Sequence, residues 1–184
     1  FGFLGIDCTY IAYRIPKGEL ADGIEALKII NIAGFNVTIP HKVEMMKFLD
    51  HTDEDCKTIG ATNTVDNENG KFKGYNTDMD GFLEPIKQRN LSCKDSDVLL
   101  IGAGGAARAI VAAFAKEKAH KITIANRTKE RAEELVKFAN KLGLESGYTD
   151  LTSAGNIAGN YKFIVNATSI GMKNNSSPIS TRSI

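Results

Sequence analysis

A glycine-rich turn offers the clearest chemistry in the sequence. The apolar run 98–101 leads directly into GAGGAA at residues 102–107, and a helix-forming sequence follows. This is the G-x-G-x-x-A pattern of a dinucleotide site, in which Gly102 permits the tight turn, Gly104 lets the backbone approach a pyrophosphate and Ala107 lets helix and strand pack closely. The N–H groups at the start of the helix would bind the phosphates. The alternative is a glycine-rich turn retained only for tight packing.

Two arginines follow the next predicted strand and bear on which nucleotide would bind. That strand ends in ANRT at residues 125–128, and Arg131 lies one helical turn beyond Arg127. An NAD site usually places Asp or Glu there, about 20 residues after the glycines, to bind the ribose 2′-hydroxyl. No carboxylate stands at this strand end, and two guanidinium groups suit a 2′-phosphate. The sequence favours NADP over NAD, with a solvated mixed-charge helix face at 129–134 as the alternative.

A lysine and an aspartate in the first half of the chain could carry out a proton transfer. Lys42 follows Pro40 in the first turn of a predicted helix, where the helix dipole disfavours a cation. A lysine placed only for solubility would do better at the other end of the helix, although an exposed and idle Lys42 stays an open alternative. Asp78 stands just before another predicted helix, and the competing interpretation of its carboxylate is an N-cap.

A predicted hairpin brings a third polar residue to the same place. Asn69-Gly70 is a dipeptide that tolerates the positive φ angles of a type I′ turn. If these two residues form the turn, counting outward along the strands places Asn63 opposite Asn76. Asn63 and Asp78 then emerge at the same end of the hairpin, a proximity that a helix cap does not require.

The elements that would position these residues fall into two groups. Before residue 78, the apolar patterns predict a strand at 8–15, a helix at 21–30, a strand at 35–39, a helix from 40 and the hairpin at 62–75. After it, they predict a connecting helix at 80–89, then strand 98–101, helix 106–118, strand 122–125, helix 129–142 and strand 163–166. Strands that alternate with helices indicate a parallel sheet covered on both faces.

We therefore expect an α/β protein of two domains. Residues 1–77 would form an α/β substrate-binding and catalytic domain that is incomplete at its N-terminus. Residues 78–184 would form a doubly wound parallel-sheet (Rossmann) domain for the nucleotide, incomplete at its C-terminus. The chain begins at Phe1 inside an apolar run without a visible signal peptide, so we expect an internal piece of a longer protein.

Composition and charge argue against several other classes of protein. Hydrophobic residues make up 42% of the 184 residues and charged residues 24%, as in an ordinary folded protein. The net charge of +1 gives no footprint for nucleic acid or an anionic membrane. No apolar run approaches the roughly 18 residues of a membrane span. The three cysteines and three histidines lack metal-ligand spacing, which predicts no metal site and free thiols in a reducing cytoplasm.

Taken together, the motifs resemble those of the shikimate dehydrogenase family, in the family's order and across almost the whole chain. The segments that carry the resemblance are NVTIPHK at 36–42, GATNT at 60–64, GYNTD at 74–78, GAGGA at 102–106, NRT at 126–128 and NATSIGM at 166–172. Two parts of the family's pattern are absent, namely its serine-containing substrate motif and the glutamine-bearing helix that returns to the first domain. The resemblance implies reversible NADPH-dependent reduction of 3-dehydroshikimate to shikimate, on the pathway to chorismate and the aromatic amino acids.

The resemblance also implies roles for particular residues. Lys42 and Asp78 match the catalytic pair, and Thr38 and Asn63 match residues that hold the substrate's hydroxyl groups together with that pair. Thr168 would approach the nicotinamide. The other positions that match cofactor-binding residues of the family are Glu54, Gly102, Ala103, Gly104, Gly105, Ala106, Asn126, Arg127, Thr128, Lys129, Glu130 and Arg131.

The predicted cofactor is therefore NADP, and the predicted partner is a small molecule, shikimate or 3-dehydroshikimate, with a homodimer as an open alternative. Two other functions stay open. A quinate/shikimate dehydrogenase that accepts NAD would be favoured by an acidic group after the second strand, which residues 126–128 lack. A non-catalytic NADP-binding module would need neither Lys42 nor Asp78.

Overall fold

The hairpin forms the centre of the first of two sheets. The structure, a computed structural model, describes residues 1–180. Strands β1 (Gly34–Asn36), β2 (His51–Thr52), β3 (Thr64–Glu68) and β4 (Lys71–Tyr75) lie in the order β1-β3-β4-β2. β1 and β4 run antiparallel to β3, whereas β2 runs parallel to β4.

The turn of this hairpin has the predicted geometry. Asn69 and Gly70 have φ angles of 55° and 84°, as a type I′ turn requires, and Glu68 pairs with Lys71. The predicted register is therefore confirmed. The pairing continues outward to Thr64 opposite Tyr75. The residues just before β3 and just after β4 therefore lie together at the open end of the hairpin.

Two helices flank the first sheet. Helix α1 (Leu20–Ile29) agrees with the predicted helix, and it packs Leu20 and Ile24 into a core with Val65 and Phe72 of the hairpin. Helix α2 (Glu54–Ile59) begins at Asp53, whose side chain accepts a hydrogen bond from the Cys56 amide, and ends at Gly60 in the left-handed conformation. The sequence patterns do not predict this short helix.

Three predictions for the first half were wrong or only partly right. Residues 8–15 form no strand, although the Tyr10 hydroxyl donates to Asn36 Oδ1 of β1 at 2.8 Å. A segment of high β-propensity forms a strand only where its backbone can hydrogen-bond to a neighbouring strand. Within residues 1–180, no strand pairs with this segment. The strand predicted at 35–39 is the shorter β1. The helix predicted from Pro40 is a turn followed by a 3-10 helix at Glu44–Phe48. The chain bends at this turn, where the Lys42 carbonyl accepts a hydrogen bond from the Thr62 amide and not from an amide of a regular helix.

The second sheet is entirely parallel, as predicted. Its strands are β5 (Asp97–Ile101), β6 (Lys121–Ala125), β7 (Glu145–Thr149) and β8 (Phe163–Asn166), in the order β7-β6-β5-β8. Helices α4 (Gly105–Lys116), α5 (Lys129–Lys141) and α6 (Leu151–Ile157) lie in the connections. The chain steps outward from β5 to β7 and then returns to the other side of β5. This reversal creates the kind of crevice in which doubly wound sheets bind ligands.

The sequence patterns do not predict β7 or α6. β7 is the strand ESGYT, which within residues 1–180 has only β6 beside it and no fully buried side chain, so it carries little apolar alternation. α6 is short and built of small and polar residues, and its start depends on Asp150, whose carboxylate accepts from the amides of Thr152 and Ser153. Neither element has a run of apolar residues with strand or helix spacing, which is the pattern that predicts the other elements.

Helix α3 (Asp78–Gln88) joins the two sheets and packs on α4. A single hydrophobic cluster includes Ile59 and Ala61 from the first half of the chain, Met79 and Leu83 from α3, and the buried face of α4. The two sheets are thus fastened to each other by shared core residues, and a domain boundary between residues 77 and 78 stays a prediction. No helix within the described residues is long and apolar enough to cross a membrane.

Candidate active site

The end of the hairpin brings Lys42, Asp78 and Asn63 into direct contact. Lys42 Nζ lies 2.6 Å from Asp78 Oδ2, and the two side chains are only 14% and 25% exposed. Asn63 Nδ2 donates to the other carboxylate oxygen, Asp78 Oδ1, at 2.8 Å. The carboxylate therefore accepts from a cation on one oxygen and from an amide on the other, which fixes its orientation.

Backbone contacts around the hairpin hold these three side chains in place. The Thr62 amide donates to the Lys42 carbonyl at 2.9 Å, which ties the bend at Lys42 to the start of β3. Asn76 is 3% exposed, and its side chain donates to the Ala61 carbonyl at 2.8 Å while accepting from the Asp78 amide at 3.0 Å. Asn76, not Asp78, satisfies a free amide at the start of α3. The N-cap interpretation of Asp78 was therefore wrong.

The glycine turn has the geometry expected of a phosphate-binding loop. Gly102 has φ +109°, and a Cβ at that position would lie 3.0–3.1 Å from Thr168 Cγ2 and from the Ala167 carbonyl group. Gly104 is the N-cap of α4, and a Cβ there would meet nothing within 4 Å. Within residues 1–180, no side chain accepts a hydrogen bond from the amides at this helix start. Open space in front of uncapped N–H groups suits a pyrophosphate, so these residues fit a bound dinucleotide.

Lys42 packs directly against the end of the glycine turn, at the start of α4. A Cβ at Gly105, the first residue of α4, would lie 3.2 Å from Lys42 Cβ and 3.5 Å from Lys42 Cδ. The alkyl part of Lys42 therefore runs past the first turn of α4, and its ammonium group reaches Asp78 beyond it. A ligand that extends from the phosphate loop over the carboxyl ends of β5 and β8 would approach this pair.

The predicted 2′-phosphate segment lies at the end of β6 and the start of α5. Asn126 closes the turn, with Nδ2 donating to the Thr128 carbonyl at 2.8 Å. Arg127 and Arg131 are both exposed, and within residues 1–180 neither pairs with a carboxylate, whereas Lys129 lies 3.6 Å from Glu133. Two guanidinium groups at this position are thus available to an anion.

Three further predicted residues lie in different places. Thr168 follows β8 and packs against Gly102, and its hydroxyl donates to Asn166 Oδ1 at 2.7 Å. Thr38 is exposed in the segment after β1 and lines a cavity of about 520 Å³ beside that strand. Glu54 is the first residue of α2 and pairs with Lys57 at 2.6 Å. Among the described residues, no hydrogen bond or salt bridge joins Glu54 to the glycine turn.

Two residues that sequence reasoning did not single out complete the surroundings of the site. The sequence analysis names Asn76 as the residue opposite Asn63, although an asparagine two residues before a helix start is also a signal for a local hydrogen bond to the backbone. Arg108 lies one turn into α4 and donates to the Ile59 carbonyl at 2.7 Å. Burial lowers the pKa of this guanidinium, with a smaller opposing effect from Glu134. No local pattern predicts that contact, because it joins residues 49 positions apart.

The fold and the site together define a class of protein. A doubly wound parallel sheet presents a glycine-rich helix start at its reversal point, and Lys42, which is paired with Asp78 at the open end of the hairpin, lies against that helix. This is the architecture of a dinucleotide-binding α/β protein with a lysine–carboxylate pair beside its glycine-rich turn. Within the described residues, no group of three or more potential metal ligands is present.

Comparison with known proteins identifies the family. A family model described as "Shikimate dehydrogenase substrate binding domain" matches residues 1–65, and one described as "Shikimate / quinate 5-dehydrogenase" matches residues 85–174. The chain belongs to the shikimate dehydrogenase family, as its motifs indicated.

Individual relatives extend this finding. The shikimate dehydrogenase (NADP(+)) of Nitrosopumilus maritimus is 64% identical over 180 residues, which are 98% of this chain and 66% of that protein. The crystal structure of shikimate dehydrogenase from Aquifex aeolicus matches with a TM-score of 0.84 at 38% identity, over 98% of this chain and 65% of that one. The Thermus thermophilus enzyme in complex with NADP(H) and shikimate matches with a TM-score of 0.79 at 30% identity, over 97% and 64%. The chain thus spans a little under two thirds of these relatives.

Proposed function

We propose that the protein containing this chain catalyses the reversible NADPH-dependent reduction of 3-dehydroshikimate to shikimate, on the pathway to chorismate and the aromatic amino acids. The observation that carries the proposal is the Lys42–Asp78 pair, whose charged atoms lie 2.6 Å apart. Lys42 packs against Gly105, the first residue of α4, which is called the nucleotide helix from here on. Family membership supports it, since relatives over nearly the whole length of the chain are named shikimate dehydrogenase (NADP(+)).

In this proposal, Lys42 and Asp78 handle the proton of the reaction. NADPH, when bound, supplies the hydride that reduces the ketone carbon of the substrate. The Lys42 ammonium donates a proton to the ketone oxygen, so that the carbonyl becomes a hydroxyl and the lysine is left neutral. Asp78 accepts a hydrogen bond from a neighbouring substrate hydroxyl and orients the lysine. In the direction of shikimate oxidation, neutral Lys42 takes the hydroxyl proton back.

We further propose that polar residues around the pair recognise the substrate's hydroxyl groups. Asn63 already orients Asp78, and its side-chain oxygen accepts from the Thr77 amide at 3.1 Å, which makes Asn63 a rigid contact point. Thr38 would contribute its hydroxyl from the turn after β1. Rigid hydrogen-bonding groups discriminate strongly against analogues that lack the matching hydroxyl.

NADP would bind along the carboxyl ends of the second sheet. Its pyrophosphate would lie on the backbone of residues 102–106, and its 2′-phosphate between Arg127 and Arg131, with residues 126–131 forming that end of the site. Thr168 would lie near the nicotinamide, and Glu54 is assigned to the vicinity of the cofactor by family position alone. We also propose a cytoplasmic location and a homodimer for the whole protein, both as predictions.

The test is a steady-state assay of the full-length protein with shikimate or quinate, each with NADP or NAD. We expect kcat/KM for shikimate with NADP to exceed that of the other three combinations. Comparable values for quinate, or a preference for NAD, would favour a quinate/shikimate dehydrogenase instead. NADP binding without turnover of either acid would favour a non-catalytic NADP-binding module.

A further inference from the structure

Arg108 makes contacts that join the two halves of the molecule. Its Nε donates to the Ile59 carbonyl, at the end of α2, across 2.7 Å. Its guanidinium carbon lies 4.1 Å from the centre of the Phe138 ring of α5, within cation–π range. One half-buried side chain on α4 thus contacts the substrate-side helix α2 and the nucleotide-side helix α5 at once.

The acceptor side of this contact is shaped for the arginine. Ile59 is the last residue of α2, where helix carbonyls lack partners within the helix and carry the negative end of the dipole. Gly60 follows with φ +66°, and a Cβ there would lie 2.9 Å from Arg108 Nη2. The glycine therefore serves the left-handed turn and also leaves room for the guanidinium.

Arg108 also lies close to the start of the nucleotide helix. Its amide donates to the Gly104 carbonyl at 3.2 Å, so it is one turn beyond the glycine loop. On the same turn, Gly105 packs against the alkyl part of Lys42. The first turn of α4 is consequently held against the substrate half at two points, the Arg108–Ile59 hydrogen bond and the Gly105–Lys42 contact.

We infer that Arg108 is a positioning residue that fixes the nucleotide helix relative to the Lys42–Asp78 pair, and so sets the distance between the nicotinamide and the bound substrate. This inference rests on the proposed function. Hydride transfer depends steeply on such geometry, since a misplacement of about 1 Å can cost about 10²-fold in rate. Arg108 acts through Lys42 and the loop and need not touch the substrate or the nicotinamide.

Three variants of the full-length protein test the inference. Arg108→Met keeps the length and packing of the side chain but removes the hydrogen bond and the charge. Arg108→Lys keeps a cationic donor. Phe138→Leu removes the ring beneath the guanidinium and leaves the hydrogen bond intact. The matched control is Arg89→Met, because Arg89 is an exposed arginine that also donates to a backbone carbonyl, at Pro85, but within its own helix.

A split between turnover and cofactor binding is the expected result. Arg108→Met should lower kcat by about 10–10²-fold, while the Kd for NADP, measured by fluorescence titration, stays at the wild-type value. Arg108→Lys should recover part of the loss, Phe138→Leu should show a smaller loss, and Arg89→Met should behave as wild type. If Arg108→Met does not fold, Arg108→Lys and Phe138→Leu decide the question by the same split.

Wild-type kcat in Arg108→Met, or in both other variants, would overturn the inference. A rise in the Kd for NADP that matches the loss of kcat would overturn it as well, because Arg108 would then serve the nucleotide loop alone. A wild-type protein that does not oxidise shikimate would refute the proposed function instead. In that case amide hydrogen exchange decides: faster exchange at residues 59–63 and in the first turn of α4 in Arg108→Met supports the positioning role, and unchanged exchange overturns it.

Discussion

Lys42 and Asp78 are 36 positions apart in the sequence, and their contact depends on everything between them. The bend after β1 presents the lysine, the hairpin returns the chain to the same end, and Asn76 orders the start of α3 so that the carboxylate of Asp78 faces inward. The local sequence favoured a helix cap for Asp78, whereas the register of the hairpin pointed to a partnership. At the scale of single residues, long-range register was the better guide.

Lys42→Met tests the proton donor while preserving the alkyl contact with Gly105. We expect kcat for shikimate oxidation to fall by about 10²–10⁴-fold, the usual contribution of a positioned acid or base. The Kd for NADP should change little, because the ammonium group faces Asp78 and not the phosphate loop. Lys47→Met, at an exposed lysine of the same segment, is the control. A variant that retains wild-type kcat would exclude Lys42 as the acid.

Arg127→Ala tests the basis of nucleotide choice. Loss of a charged hydrogen bond to the 2′-phosphate should weaken NADP binding by about 10–10²-fold, equivalent to about 1.5–3 kcal/mol, and should leave NAD binding unchanged. Calorimetric titration with both nucleotides measures the two values. Lys137→Ala, which removes another exposed cation of α5, should affect neither nucleotide. Equal losses for NADP and NAD would show that Arg127 does not contact the 2′-phosphate.

At the scale of elements, the sequence predicted best where an element carries its own signal. The Asn69-Gly70 turn, the buried strands β5 and β6, and the amphipathic helix α5 all lie where their patterns indicated. Residues 8–15 have the composition of a strand, but within residues 1–180 no neighbouring strand pairs with them, so the strand predicted there was wrong. The edge strand β7 lacks an apolar pattern because only one neighbour covers it. Pairing partners are a property of the fold, and a local pattern cannot supply them.

One pairing between elements predicts a pH dependence of stability. His120, just before β6, lies 2.7 Å from the carboxylate of Asp97 at the start of β5, and this hydrogen bond, with the charge of Asp97, raises the pKa of the imidazole above its usual 6.5. The folded state therefore binds the proton more tightly than the unfolded state. The contribution to stability is fully present below about pH 6.5 and is lost as the pH rises through the raised pKa.

His120→Gln should remove that part of the pH dependence. Melting temperatures between pH 5.5 and 8.5 should fall less with rising pH in the variant than in the wild type. The difference should be small and should shrink further in high salt, because the pair is exposed. His51→Gln, at an exposed histidine of β2, is the control. Parallel curves for His120→Gln and wild type would contradict this account of the pair.

At the scale of the whole molecule, the two sheets are joined by a shared apolar core as well as by the connecting helix. Ile59 and Ala61 from the first half pack in the same cluster as the nucleotide helix, and Arg108 hydrogen-bonds across the same junction. The apolar patterns of the sequence predicted two groups of elements but not how firmly the two groups are attached. That attachment matters for the proposed function, because the residues proposed to bind substrate and those proposed to bind the nucleotide come from different halves.

Thiol labelling tests this packing. Cys56 and Cys93 are buried, and desolvation raises the pKa of both thiols, whereas Cys8 is exposed. With a thiol-specific reagent near neutral pH, Cys8 should react quickly, and Cys56 and Cys93 should react only at the rate at which the protein opens. Mass spectrometry of the labelled peptides separates the three sites. Rapid labelling of Cys93, which belongs to the shared cluster, would contradict the shared core, and rapid labelling of Cys56 would contradict the burial of α2.

The central claim, that Lys42 and Asp78 act as a catalytic pair against the nucleotide helix, is tested most directly by kcat of Asp78→Asn in the full-length protein. This variant preserves the size of the side chain, removes its charge and replaces one of the two acceptor oxygens that Lys42 and Asn63 contact with an amide donor. We expect kcat for shikimate oxidation with NADP to fall by about 10²–10⁴-fold, while the melting temperature shifts by no more than about 2–4 °C, which corresponds to about 1 kcal/mol in a protein of this size. Wild-type turnover in Asp78→Asn would contradict the claim and leave Lys42 without its catalytic partner.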